Sequence, residues 1–253
     1  KRTSMKNYCC IVLILLITVS NLYAQMTIIQ TPTNNVDQSL EFYQKLNYKV
    51  IAEEPMPIIT DGKAVIQVNP DRFARAGVKM YSESWKEKVT ELKELTMVWD
   101  IDNGYLLNEG NGCWIYLLEG ETGFEFTPEE SPFGMAGNFM GVSLETSDME
   151  RSYKIWELLG FSIVMGELGK GFIVMANESG FSVSMMNILT CPHLFFNPSM
   201  TFFNGDKNME IIKNIREAGI PITEEITHFN KEGIVDNIII RDPGGLGFFI
   251  FSD

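Results

Sequence analysis

The sequence predicts an α+β fold made of repeated strand-helix-strand-strand-strand units, and three observations lead there. The first is an internal repeat. Shifting the chain by 113 places lays Ser152-Tyr153-Lys154-Ile155-Trp156-Glu157-Leu158-Leu159-Gly160-Phe161 on Ser39-Leu40-Glu41-Phe42-Tyr43-Gln44-Lys45-Leu46-Asn47-Tyr48. The second is the spacing inside each copy. Phe42, Tyr43 and Leu46, matched by Ile155, Trp156 and Leu159, form one apolar stripe on a helix and face it to a core. The third is the stop: Asn47 and Gly160 both tolerate the left-handed backbone that ends a helix, so each copy breaks off and feeds a strand.

Taken in order, the first unit has a strand at 26–30, a helix ending at Leu46, and strands at 49–52 and 64–68 separated by the turn Asp61-Gly62. The second begins with 73–81 and continues with a helix at 84–95, where Ser84 and Glu87 have the spacing of a capping box. Strands at 96–101, 105–107 and 113–118 close it. Residues 119–136 read as the linker, because their first part is acidic, contains Gly and Pro, and lacks a sustained period. The third unit has a strand at 139–145, a helix capped by Asp148 and running to Leu159, and strands at 161–165, 172–175 and 181–185. The last opens at 199–203, places Asp206 before a helix at 209–218 that Gly219 ends, and finishes with strands at 222–226, 234–240 and 247–251. The expected domains are therefore 26–118 and 137–253.

With 45% apolar and 21% charged residues, the 253-residue chain has the composition of a folded globular protein. Its net charge of −13 argues against non-specific binding to nucleic acid or to an anionic membrane, both of which need a positive surface. Residues 1–25 have the pattern of an export signal: Lys6, an apolar run at 9–19, and Leu22-Tyr23-Ala24 ahead of Gln25. That run is too short for stable insertion across a bilayer. The expectation is a periplasmic or extracellular protein; the alternative is a cytoplasmic one with its start at Met26. Cys9-Cys10 lies at the beginning of the apolar run, which does not suit a lipid anchor. Cys113 and Cys191 are expected as free, buried cysteines.

There are four such units, two of which carry the junction Ser-x-x-(Phe/Ile)-(Tyr/Trp)-x-x-Leu-(Gly/Asn)-(Phe/Tyr), and the last contains Asp242-Pro243-Gly244-Gly245. In this the chain resembles the vicinal oxygen chelate superfamily, which contains glyoxalase I, the bleomycin-resistance proteins, fosfomycin-resistance enzymes and extradiol dioxygenases. The resemblance spans 26–253. It implies tandem domains of α+β class, each formed by two βαβββ units that curl a mixed sheet into a cup. In the metal-dependent members it implies ligands on the first and last strands of a unit. The His expected seven places before the residue that opens the helix falls on Gly141, counted from Asp148, and on Ile28, counted from Asn35. The Glu expected four places after the turn glycine falls on Phe249, counted from Gly245, and on Tyr116, counted from Gly112. The remaining position, nineteen before Gly219, falls on Met200. None of these side chains donates to a hard divalent cation as His or Glu does, so no family-type metal and no cofactor is expected.

Other chemistry has little support. His193 lies in Thr190-Cys191-Pro192-His193, a loop with too few ligands for zinc, and His228 lies in a polar loop. Gly166, Gly169 and Gly171 lack the lysine and Ser/Thr of a phosphate loop. The period of two puts Ile28 and Gln30 on one face, and likewise Trp114 with Tyr116, Gly141 with Ser143 and Glu145, and Phe249 with Phe251. Together with Met200 these are the candidate lining of a cup for a small apolar or aromatic ligand, with Gly141 leaving room and the phenylalanines tending to fill it. Three functions follow. One is a metal-independent small-molecule-binding protein, comparable in logic to the bleomycin-resistance proteins. Another is a glyoxalase- or dioxygenase-type enzyme, a lyase or oxidoreductase, with a displaced site at Glu145, His193 or His228. The third is a structural or interaction module with a filled cup. No catalytic residue is assigned, and pairing into a homodimer stays open.

Overall fold

The repeated helices end as their sequences dictate. In the computed structural model, which describes residues 26–252, Asn47 follows the first helix at φ 64° and Gly160 follows its copy at 94°, both left-handed. The segment read as an export signal lies outside the described residues. The first unit comprises β1 (Thr27–Pro32), α1 (Val36–Lys45), β2 (Lys49–Ala52), β3 (Ile58–Thr60) and β4 (Val65–Asn69). The second has β5 (Gly77–Ser82), α2 (Lys86–Leu95), β6 (Val98–Ile101), β7 (Gly104–Asn108) and β8 (Trp114–Glu119). The third has β9 (Phe139–Thr146), α3 (Met149–Leu158), β10 (Ser162–Glu167), β11 (Phe172–Ala176) and β12 (Ser182–Asn187). The fourth has β13 (Ser199–Phe203), α4 (Asn208–Glu217), β14 (Ile222–Ile226), β15 (Asn237–Arg241) and β16 (Gly247–Phe251).

Several details differ from the sequence expectation: β5 begins at Gly77 rather than at 73, and β15 at Asn237 rather than at 234. β3 is an additional strand, and at three residues it is too short to show an alternation of its own. Ser84 is not the N-cap of α2, which starts at Lys86 after Trp85; its hydroxyl takes only the Lys86 amide, at 3.4 Å, and no capping box with Glu87 forms. Instead Glu119, at the end of β8, accepts from the Trp85 amide at 3.2 Å, and the Trp85 indole donates to the Leu118 carbonyl at 2.9 Å. A buried tryptophan anchored to the sheet overrides the local capping preference. Asn35 and Asp148 do cap α1 and α3, each accepting at 3.1 Å from the amide three residues on.

The units pair into two eight-stranded mixed sheets with the same topology, in the orders β2-β3-β4-β1-β5-β8-β7-β6 and β10-β11-β12-β9-β13-β16-β15-β14. In each, the first strands of the paired units run antiparallel at the centre, flanked by parallel partners. One apolar core joins the two sheets. It holds Phe42 and Tyr43 of α1, Val89 and Leu92 of α2, Ile155 and Trp156 of α3, and Ile212 and Ile215 of α4, together with one face of both sheets. The opposite faces carry separate small clusters, Ile28 with Ile58 and Val65, and Ile226 with Ile239, Phe249 and Phe251. The helices thus lie on the shared core, and each sheet turns its other face away from it.

Two carboxylates tie the halves together at equivalent turns. Asp242, before β16, accepts from Thr31 Oγ1 of β1 at 2.6 Å, from the Tyr43 hydroxyl of α1 at 2.9 Å and from the Leu246 amide at 2.7 Å. Glu109, before β8, accepts from the Ser152 hydroxyl of α3. The second tie is less complete. Glu109 Oε2, Asn111 Nδ2, Arg151 Nε and Trp156 Nε1 are buried without a hydrogen-bond partner among the described residues. Burial raises the pKa of both acids, and Glu109 is pushed up to about 7.

Removing the Tyr43 hydroxyl deprives a buried carboxylate of one donor. Tyr43→Phe is therefore expected to lower unfolding stability by about 2 kcal/mol, read as a lower urea midpoint at unchanged m-value. Glu109 acts in the other direction. Its folded pKa lies above the ordinary value of 4.5, so its contribution is complete below that pH and is lost as the pH rises to about 7. Glu109→Gln should raise the melting temperature at pH 8, by about 3 °C for each kcal/mol recovered, and leave it nearly unchanged at pH 4.5, as calorimetry would show.

Candidate functional site

The strand register brings the predicted positions abreast on the outward faces. In the first sheet Ile28 pairs with Lys79, Lys79 with Tyr116, Tyr116 with Leu106 and Leu106 with Trp99, which makes one row across five strands. The adjacent row contains Gln67, Gln30, Gly77 and Trp114. Side chains alternate along a strand, so members of these rows share the cup face. In the second sheet the corresponding row is Gly141, Thr201, Phe249 and Ile239.

Met200 does not belong to that row. It is fully buried in the core on the helix side, and its neighbour Thr201 takes the cup-facing place. A count of residues across a helix accumulates single-residue errors, and one step on a strand reverses the face. Gly141 does not leave room for a ligand either. It has φ 133°, and a Cβ there would stand 2.2 Å from the Ser182 carbonyl oxygen of the neighbouring strand. The glycine permits close strand approach at an irregularity in the β9–β13 pairing.

The second cup is lined by groups that satisfy one another. Ser143 Oγ is 2.6 Å from both Ser184 Oγ and Thr201 Oγ1. The Glu145 backbone is held on both sides by the Asn197 amide, at 2.8 and 3.0 Å. Phe249 and Phe251 are buried and stack with ring centroids 5.5 Å apart. The β12–β13 loop folds onto them: Phe195 lies 4.8 Å from Phe249, and the His193 ring stands 5.2 Å from Phe249 and 5.3 Å from Phe251. His193 Nδ1 is 2.8 Å from the Leu194 carbonyl. The His228 ring lies tilted 4.6 Å from Phe229, which itself approaches Phe251. Both histidines are therefore held by one aromatic cluster, while Glu145 lies apart on β9.

The first cup has different chemistry. Lys79, only 8% exposed, donates to Gln67 Oε1 and sits 5.4 Å from the centre of the Tyr116 ring. Among the described residues it forms no salt bridge. Burial lowers its pKa to about 8. Beside it Gln30, with no exposed surface, donates to the Arg75 carbonyl at 2.8 Å and accepts from Asn69 at 2.8 Å. The Tyr116 hydroxyl accepts from the Arg75 amide at 3.2 Å, and burial pushes its phenol pKa up. Trp114 lies 5.8 Å from Trp99, which is 40% exposed at the open side. On the other side the chain leaving β8 crosses the cup, and Phe124 and Phe126 pack over Ile28, Ile58 and Val65. Flanking this strap, the Gly120 amide bonds to Ser82 and the Glu129 amide to Gly62.

Lys79, Gln67, Asn69, Phe124 and Phe126 are absent from the sequence-derived lining. A signal for Lys79 exists: Gly77-Val78-Lys79-Met80-Tyr81 alternates, with Val78 and Met80 as the core face. The count that reached Met200 starts from a helix-ending glycine, and α2 ends at Thr96 without one. Phe124-Glu125-Phe126 also alternates, inside a segment whose composition reads as linker. Cys113 and Cys191 are both free, the first buried and the second half-buried.

The metal sites implied by the resemblance can be tested against these rows. The first offers an isoleucine, a lysine and a tyrosine; the second offers a glycine, a threonine and a phenylalanine. These residues do not fit a divalent cation, and an ammonium group repels one. Among the described residues no group of three or more His, Cys, Asp or Glu side chains is close enough to hold a metal ion. Two grooves border the sheets. One, of about 570 Å³, runs between the end of α2, β6 and Arg151; the other, of about 440 Å³, lies between α1 and β2.

No family model matches the chain, and no curated protein matches it in sequence. Solved structures do match in fold. The 2,3-dioxygenase LapB from Pseudomonas sp. KL28 is 12% identical, with a TM-score of 0.54 over 88% of this chain and 89% of that one. A variant of homoprotocatechuate 2,3-dioxygenase from Brevibacterium fuscum is 13% identical, with a TM-score of 0.56 over 90% of this chain and 71% of that one. The Mn(II)-bound glyoxalase from Novosphingobium aromaticivorans is 12% identical, with a TM-score of 0.54 over 89% of this chain and 81% of that one. The likeness at these identities is one of architecture: the chain has the vicinal oxygen chelate fold, with two similar β-sheet domains.

Burying an amine without a counter-charge is destabilising at neutral pH. Because the folded pKa of Lys79 is lowered from 10.5 to about 8, that loss is present below pH 8 and is recovered as the pH rises towards 10.5. Lys79→Met is expected to raise stability at pH 7 by about 2 kcal/mol and to flatten the rise above pH 8, measured by urea unfolding across that range.

Proposed function

We propose that this chain is a small-molecule-binding protein that works without the metal of the family it resembles, and that the first cup is its binding site. The observation that carries the reading is the row Ile28, Lys79 and Tyr116. It keeps the fold's central positions and replaces every expected ligand by a group of different chemistry. The first cup has the features of an organic-ligand site: a polar floor with fixed hydrogen bonds, aromatic walls at Tyr116 and Trp114, and an open side at Trp99. In this reading the second domain supports the first. Its own cup is occupied by His193, Phe195, Phe249 and Phe251, and its turns and helices complete the shared core.

Metal analysis of the purified full-length chain tests the proposal. The expected result is far less than one divalent ion per domain after gel filtration in a buffer containing manganese. One tightly held ion per domain would overturn it.

A further inference from the structure

Lys79 is a charged group at the centre of the first cup whose hydrogen-bonding capacity is only partly used by its neighbours. Its ammonium has three donors, and Gln67 Oε1 takes one. The nearby acceptors take their hydrogen bonds from other donors, Gln30 Oε1 from Asn69, Asn69 Oδ1 from the Asp71 amide, and the Tyr116 hydroxyl from the Arg75 amide, and Lys79 bonds none of them. No carboxylate among the described residues pairs with it, although the chain as a whole carries an excess of acidic side chains. A buried charge left in this state costs stability, so its position requires an explanation beyond folding.

We infer that the first cup receives a small organic carboxylate, with the carboxylate oxygens against Lys79 Nζ and the apolar body along Tyr116 and Leu106 towards the Trp99–Trp114 pair. This rests on the reading of the cup as a binding site. It extends that reading by giving the site a charge preference opposite to a metal centre's. The lysine stands in the row between Ile28 and Tyr116, where the resemblance implies cation ligands, and supplies the positive charge itself. With burial bringing its pKa to about 8, the amine still carries its proton at neutral pH. Half-buried Tyr116, Leu106 and Trp114 provide the apolar wall, and exposed Trp99 marks the side from which a ligand enters. Phe124 and Phe126 close the opposite side over Ile28, Ile58 and Val65, which limits the site to small ligands.

The test uses the full chain and two matched pairs of probes, benzoate with benzamide and hexanoate with hexanamide. Binding is read by tryptophan fluorescence and by ligand-observed NMR at pH 7. The expected result is that each carboxylate binds more tightly than its amide, and that Lys79→Met weakens the carboxylates by about tenfold or more and the amides by much less. Lys79→Arg should retain most of the carboxylate binding. Circular dichroism establishes that both variants fold. Amides binding as well as acids, or acids binding Lys79→Met as well as the parent, would overturn the charge preference while leaving the cup a binding site. No binding by any of the four probes would remove the binding-site reading and this inference with it.

Discussion

Asp242 holds the point at which the two halves of the chain become one body. Its carboxylate takes hydrogen bonds from Thr31 on the first strand and Tyr43 on the first helix, more than two hundred and nearly two hundred residues away in sequence. Glu109 is its counterpart in the other direction and takes the Ser152 hydroxyl from α3. Each half thus places a helix of its repeat against the turn that precedes the last strand of the other half. The aromatic face of α1 follows, with Phe42 5.9 Å and Tyr43 6.1 Å from Phe248. These reciprocal contacts commit the helical faces of both sheets to a common core, and the cups are then turned outward because no other face remains.

The duplication preserved architecture and let the two linings diverge. In the second cup, hydroxyls pair with hydroxyls and a loop fills the remaining space with aromatic rings. In the first, an ammonium and two glutamines lie among aromatic walls, and the covering strap comes from the connection between domains. The symmetry of the ties is also imperfect. Asp242 takes three hydrogen bonds, whereas Glu109 leaves one oxygen unpartnered and is pushed up to about 7. A carboxylate buried with fewer hydrogen bonds keeps its proton to higher pH, since desolvation is then opposed by less.

Much of the architecture is legible in the chain itself. The apolar stripe of Phe42, Tyr43 and Leu46, its copy at Ile155, Trp156 and Leu159, and the left-handed stops at Asn47 and Gly160 are local features whose consequences do not depend on distant partners. Alternation likewise places Gln30, Tyr116, Ser143 and Phe249 on outward faces. Short range explains the exceptions. Ser84 shares the start of α2 with Glu119, which reaches it from β8 and takes the Trp85 amide, and the strand Ile58–Thr60 is set by pairing with its neighbours rather than by its own pattern.

What the sequence by itself determined was therefore the class of fold, the duplication and the absence of His and Glu from the expected ligand places, all of which follow from periodicity and residue type. Register was decided only by tertiary structure. It set Thr201 rather than Met200 in the cup, filled the space over Gly141 with Ser182, and placed Lys79 between Ile28 and Tyr116. The physical reason is that a side chain's face on a strand is local, while its neighbours across the sheet depend on hydrogen-bond pairing between segments far apart in the chain. The same holds for the strap and the β12–β13 loop, whose phenylalanines read as parts of connections until the sheets give them a surface to cover.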